Sequence, residues 1–358
     1  MRHRILIFPS GMFSVSDGKY VEFGNGHVVR CVNLARELVS QDPEVEVTLG
    51  VSGPEAAFAR RFVGEEFSIV EVPEANGTAP HWQYEHRLRF ETNLVKFLEP
   101  SVVICDTHAE GLIAARYNWR KCVALLDLPP IEFYHVYAML ADLVLVPLTG
   151  SQYRLPPLLE AKSHFVGPLI DARSISRVNA TSEAELRKET GIGRPFILVY
   201  LSRIHSDRSA FVSIVREAHR IVLGKHAGMM LVLIGPGALQ EPGDEGKVVA
   251  LEFVDNVHKY VKASSAFITR SPIIAMEGLA LGKKAVIVPI PSDYNQSTMG
   301  QRLGKDTTYL PFEKLDAETL AGLIEDTLAD DSGAEGASIT SNGTAESARM
   351  VLELVNSG

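Results

Sequence analysis

Short apolar runs alternate with amphipathic stretches along the whole chain. In the first half the runs fall at residues 4–8 (RILIF), 45–51, 67–72, 101–105 (SVVIC), 122–126 (CVALL) and 143–146. Their length and their content of Val, Ile and Leu predict buried strands. The stretches between them read as helices. The clearest follows His27, where Val28, Cys31, Val32, Ala35, Leu38 and Val39 recur at i, i+3, i+4, i+7, i+10 and i+11 as one apolar stripe. Strand–helix–strand alternation predicts right-handed crossovers and a parallel sheet covered on both faces.

The pattern pauses over residues 151–181, which are rich in Pro, Ser and Arg. It then restarts with runs at 196–201 (FILVYL), 230–234 (MLVLI), 249–253, 266–269 and 285–289 (AVIVP), and with helical spacing near 209–223, 256–262 and 272–281. The expected fold class is α/β, with two Rossmann-like doubly wound parallel-sheet domains. Residues 1–166 form the first, 167–181 a linker and 182–328 the second. Residues 329–358 form a flexible acidic segment and a terminal helix, whose Ala348, Val351, Leu352 and Val355 share one face and could dock on the first domain. No fixed-period repeat is present.

Composition narrows the function classes. The chain has 358 residues, 46% apolar and 22% charged, which suits two cores and excludes wholesale disorder. A net charge of −9 argues against a nucleic-acid partner. The three cysteines, Cys31, Cys105 and Cys122, lack disulfide or metal spacing and sit in apolar segments. The run at 5–8 is too short for a signal peptide, and no window approaches the roughly 18 apolar residues of a membrane span. The expectation is a cytoplasmic protein, with peripheral membrane contact left open.

In open α/β sheets ligands bind beyond the carboxyl ends of the strands, so the strand-to-helix turns hold the candidate chemistry. Gly24-Asn25-Gly26-His27 opens the first helix. A dinucleotide fingerprint needs a third glycine where Val29 stands, which excludes a nicotinamide oxidoreductase. A histidine at a helix N-terminus is kept neutral, as a general base must be; the same residue also reads as a cap. Asp106 follows the strand at 101–105 and reads either as an orienting carboxylate for a histidine or as the cap of the next helix. In the second half, Ser202-Arg203 suits phosphate oxygens and Gly235 follows MLVLI in a turn. Arg270-Ser271-Pro272 opens a helix in which Glu277 is a lone acid among Ile, Ala, Met, Gly and Leu. Such an acid, without an obvious partner, asks for a ligand with hydroxyls; it also reads as solvent-facing. Asn295-Gln296 supplies neutral donors and acceptors for a sugar or a base edge.

Together the Gly-x-Gly-His opening, the segment RSPIIAMEGLALGKKAVIVP and the Asn-Gln loop resemble the GT-B glycosyltransferases, in particular the branch of the peptidoglycan N-acetylglucosaminyltransferase. The resemblance implies two domains facing each other across a cleft, the second binding the nucleotide sugar and the first the acceptor. It implies that Glu277 contacts the ribose hydroxyls and that Asn295 and Gln296 face the donor sugar. His27 and Asp106 are implied as the catalytic pair, with Gly26, Ser202, Arg203, Gly235, Arg270 and Ser271 at the donor. Pro272 stands where that family has a glycine and removes an N–H that could serve the diphosphate, a loss Arg203 is placed to offset.

The expected activity is transfer of a sugar from a nucleotide diphosphate sugar, a UDP-sugar by resemblance, to the hydroxyl of a small or lipid-linked acceptor. No cofactor is obligatory, and no Asp-x-Asp metal motif is present. The segment GNGHVVRC also resembles the UDP-sugar hydrolases of the pseudaminic acid pathway, in which the histidine activates water. The remaining alternative is a non-catalytic nucleotide-sugar-binding protein, which needs neither His27 nor Asp106.

Overall fold

The computed structural model describes residues 3–9, 13–16, 19–22, 26–73, 81–126, 134–148, 155, 157–202, 207–235, 238–241, 243–291, 303, 306–330 and 343–357. In chain order the first half holds β1 (His3–Phe8), β2 (Phe13–Ser16), β3 (Lys19–Glu22), α1 (Gly26–Gln41), β4 (Val45–Ser52), α2 (Gly53–Val63), β5 (Ser68–Val72), α3 (His81–Leu98), β6 (Val102–Asp106), α4 (Ala109–Tyr117), β7 (Lys121–Leu125), α5 (Tyr134–Leu140), β8 (Leu143–Val146), α6 (Pro157–Glu160) and β9 (Ser163–Phe165). Then come α7 (Ala172–Asn179), α8 (Glu183–Glu189), β10 (Phe196–Tyr200), α9 (Arg208–Leu223), β11 (Met230–Ile234), β12 (Val248–Leu251), α10 (Val257–Ala263), β13 (Ala266–Thr269), α11 (Pro272–Ala280), β14 (Ala285–Ile287), β15 (Thr307–Tyr309), α12 (Ala317–Ala329) and α13 (Gly343–Asn356). The chain divides into Met1–Ile170 with Ser341–Gly358, and Asp171–Thr340.

In the first unit the strand order is β5-β4-β1-β6-β7-β8-β9, and every neighbouring pair is parallel. The interior strand β1 places Ile7 opposite Leu49 of β4 and Ile104 of β6. The uninterrupted apolar runs are explained by burial on both faces. Ile5 and Ile7 meet the α1 stripe of Val28, Cys31, Val32, Ala35 and Leu38 on one side. Ahead of α1, β2 and β3 pair antiparallel, Phe13 opposite Glu22.

The terminal helix α13 belongs to this unit, where it buries Ala348, Val351 and Val355 in the same core as α1. Gln41 and Lys121 donate to Ala345 O at 2.9 Å and Leu354 O at 2.7 Å. Its first residue must be glycine: a Cβ on Gly343 would lie 2.5 Å from the carbonyl oxygens of Gly167 and Pro168. Thr344 then donates to Ile170 O at 2.8 Å.

The second unit has the order β12-β11-β10-β13-β14-β15, again parallel throughout. Residues 167–181, expected as a linker, are divided between the units. Residues up to Ile170 close the first, and α7 opens the second with Asp171 as its side-chain cap on Ser174 N at 2.9 Å. Strand β15 has no apolar run and is not visible in the hydropathy pattern. Among the described residues no helix is long and apolar enough to cross a membrane.

Candidate functional site

Both sheets reverse their strand order at one place. In the first unit it lies between β1 and β6, and in the second between β10 and β13. These are the positions where a doubly wound sheet opens a crevice at its carboxyl edge.

At the first position Asp106 ends β6 and His27 lies in the first turn of α1, just after Gly26. Asp106 is wholly buried, and His27 is 9% exposed. Asp106 is not a helix cap: His108 occupies that position for α4. The structure brings His27 and Asp106 together, with Nδ1 3.1 Å from Oδ2. It also adds a third member. Arg30, one turn beyond His27 on the same helix face, donates from Nε to Oδ2 at 2.5 Å and from Nη2 to Oδ1. Burial alone would raise the Asp106 pKa, but the charges of Arg30 and His27 hold its carboxyl well below the usual carboxylate range. Burial pushes the Cys31 thiol up, and the Asp106 charge adds to it, so that thiol is unreactive.

His27 Nδ1 meets opposite demands. Asp106 Oδ2 accepts only, whereas Arg30 Nη2, 2.7 Å away, donates only. With the proton on Nδ1, the ring donates to Asp106 and Nε2 is a base. With Nδ1 accepting from Arg30, Nε2 carries the proton and the ring is a donor. The position of one proton thus decides whether Nε2 is a base or a donor.

Thr107, next to Asp106, has φ +49° and is buried, and its hydroxyl has no hydrogen-bond partner. A β-branched residue in the left-handed region is strained, and strain of this kind gathers at functional sites. A second buried cluster has a structural task. Arg87 Nε donates to Glu91 at 2.8 Å, and His108 Nε2 lies 2.9 Å from the same carboxylate oxygen. This ties α3 to the β6–α4 turn.

At the second position Ser202 follows β10 with φ +57°, again left-handed and not glycine. Gly235 follows β11 with φ +142°, and a Cβ there would stand 3.3 Å from Ser202 O. Arg270 and Ser271 follow β13. Ser271 is the N-cap of α11 with Pro272 behind it, but its side chain makes no cap bond. Arg270 is wholly buried, 4.7 Å above the Phe211 ring and paired through Nη2 with Asp207. Its Nε and Nη1 are buried without a partner.

Arg208, which begins α9, is a residue the sequence reading missed. It is 8% exposed, and both Nη1 and Nη2 are buried without a hydrogen bond. Burial and the neighbouring Arg270 charge push its guanidinium below its ordinary pKa. Four guanidinium nitrogens on two adjacent arginines therefore lack acceptors, which is costly unless an anion supplies them.

Glu277 is 2% exposed, so it is not solvent-facing. Nor does it lack a protein partner, as the sequence suggests: His258 Nε2 lies 3.2 Å from its Oε2. The helical pattern of α11 could not reveal this, because His258 comes from α10. Gly24, Asn25, Arg203, Asn295 and Gln296 lie outside the described residues. Among the described residues no group of three His, Cys, Asp or Glu side chains gathers that could hold a metal ion.

No family model matches the sequence, and no curated protein matches it. Solved structures do match over the whole chain. One is the UDP-GlcNAc 2-epimerase of Methanocaldococcus jannaschii, with a TM-score of 0.66, 10% identity, and 99% of this chain and 100% of that chain covered. The spinosyn forosaminyltransferase has a TM-score of 0.65 at 14% identity, covering 99% and 100%. The calicheamicin glycosyltransferase has a TM-score of 0.63 at 18% identity, covering 100% and 99%. The fold is GT-B. At these identities the likeness extends to architecture alone, so the chemistry of this GT-B chain rests on its own residues.

Proposed function

We propose that the chain is a glycosyltransferase acting on a nucleotide diphosphate sugar, a UDP-sugar, with a small or lipid-linked hydroxyl compound as acceptor. The observation that carries this reading is the buried contact of His27 with Asp106 at the strand-order reversal of the first unit. A carboxylate held ionised beside a histidine stabilises the imidazolium that forms when the ring accepts a proton. With Nδ1–H directed at Asp106, Nε2 takes the acceptor hydroxyl's proton. The acceptor oxygen then bonds to the anomeric carbon, and the bond from that carbon to the diphosphate oxygen breaks. Its electron pair leaves with the diphosphate.

In the second unit, the unpartnered nitrogens of Arg208 and Arg270 support a role in meeting that charge. Ser202, Gly235 and Ser271 border the same strand ends. Glu277 accepts from the ribose hydroxyls, and Arg203, Asn295 and Gln296 complete the donor site. The similar structures include a forosaminyltransferase and a UDP-GlcNAc 2-epimerase, which supports the donor class.

Hydrolysis is the second reading. The His27–Arg30 spacing that grips Asp106 lies within the segment similar to UDP-sugar hydrolases, and the same pair would activate water. The test has two stages. A thermal-shift panel of UDP, GDP, TDP and CMP identifies the base; saturation at 100 times the dissociation constant stabilises by about 2.7 kcal/mol. Product analysis with UDP-sugars then separates glycosylated acceptor from free sugar and from an epimerised donor. If none of the nucleotides shifts the transition, the reading is wrong.

A further inference from the structure

Glu277 is a buried carboxylate on an apolar helix turn, flanked by Met276 and Gly278. Burying a carboxylate is expensive unless it is paired, and among the described residues the partner of this one is His258. Its contact with His258 Nε2 is an ion-pair distance of 3.2 Å, and Nε2 forms no aligned hydrogen bond. A carboxylate has about four lone-pair sites, so this one contact leaves Glu277 able to accept from further donors.

The histidine, by contrast, is held firmly. Its Nδ1 lies 2.8 Å from Ser174 Oγ, which accepts from Asn256 Nδ2 at 3.0 Å. Asn256 Oδ1 accepts in turn from His258 N at 3.0 Å. Ser174 is fixed at the start of α7 by the Asp171 cap. Ser174 receives its bond on oxygen from Asn256 and so anchors the ring. Three residues from two elements therefore orient one imidazole whose far nitrogen faces Glu277.

We infer that His258 is a positioning residue that holds the Glu277 carboxylate open as a double acceptor, so that the second unit selects a ribonucleotide by its vicinal hydroxyls over a deoxyribonucleotide. This rests on the nucleotide-sugar reading above. An ionised carboxylate accepts only, and a vicinal diol offers two O–H donors to it. A deoxyribose leaves one acceptor unmatched.

The charged groups facing His258 are Glu277 on α11 and Asp171 and Arg177 on α7. Glu189 of α8 is engaged by Lys259 at 2.5 Å. Tyr200 of β10 stays neutral beside the carboxylate, pushed up to about 12 by burial and by the Glu277 charge. Burial, the largest single influence, lowers the His258 pKa, but Glu277 and Asp171 together outweigh it, so the net shift is upward. The imidazolium is present at low pH and is lost as pH rises through that raised value. Ribonucleotide affinity is therefore greatest on the acid side and declines as pH rises.

The test is calorimetric titration of UDP and 2′-deoxy-UDP into the full chain between pH 5.5 and 8.5, for wild type, His258→Gln and His258→Leu. Wild type is expected to favour UDP by about tenfold, the worth of one charged hydrogen bond. His258→Leu should lose most of that preference while retaining deoxynucleotide binding. His258→Gln should keep much of the preference with a flat pH profile, and it carries the test alone if the leucine variant does not fold. Wild type that binds both nucleotides equally, or variants that match the wild-type ratio and pH profile, would overturn the positioning role and leave the nucleotide reading intact. Wild type that binds neither nucleotide would overturn both.

Discussion

Replacing Arg30 with methionine isolates what holds the first unit's buried acid. Asp106 is wholly buried, and Arg30 grips both of its oxygens. Opposite unit charges about 4 Å apart at an effective dielectric of 20 attract by about 4 kcal/mol. Removing one partner of a buried pair costs about 3–5 kcal/mol, because the other charge is stranded. His27 remains 3.1 Å from Asp106, so the expected loss for Arg30→Met is near about 3 kcal/mol. Urea denaturation at pH 7 measures it. A depressed carboxyl contributes stability that is complete above its unfolded pKa, about 3.9, and is lost as pH falls through its folded value. Without Arg30 the folded pKa rises, so acid destabilisation begins at a higher pH. The double variant Arg30→Met/Asp106→Leu removes both charges and should recover most of the stability. Turnover should stay lost, since the histidine no longer has its carboxylate. A single variant within about 1 kcal/mol of wild type at pH 7, or a double variant no more stable than the single, would refute the electrostatic account.

Three further outcomes are expected. His27→Ala should lower turnover by about 10²–10⁴-fold at unchanged UDP affinity; a loss of stability with near-normal turnover would make His27 a cap instead. Arg208→Met should raise the stability of the free protein, because it removes two unpartnered buried nitrogens, and should weaken UDP binding by about 1.5–3 kcal/mol. Thermal denaturation with and without UDP reads both effects, and a less stable variant with undiminished affinity would contradict the anion site. Thr107→Gly should hold or raise stability by up to about 1 kcal/mol, since glycine relieves the left-handed strain at some entropic cost. A clear loss by urea denaturation would show that the Thr107 methyl packing outweighs the strain.

Part of the candidate site is legible in the sequence. Glycines before a helix, a histidine in its first turn and an acid at a strand end single out His27 and Asp106, and the family resemblance implies their pairing. Arg30 was overlooked, although its spacing of three from His27 placed it on the same helix face. Arg208 had no such signal: an arginine at a helix start is ordinarily solvated, and only burial beside Arg270 makes it unusual.

The sequence by itself determined most of the elements and their order, with β15 and the β2–β3 pair among the exceptions. Strand runs and the α1 stripe follow from local periodicity, and periodicity is a property of neighbouring residues in the chain. The tertiary structure decided which buried charges face one another: Arg30 with Asp106, His258 with Glu277, Asp207 with Arg270. It also decided that α13 returns to the core of the first unit, where Gly343 fits against the Gly167 and Pro168 carbonyls. Desolvation and ion pairing depend on which strands and helices become neighbours in space. Hydropathy along the chain shows that a segment is buried, but not what it is buried against.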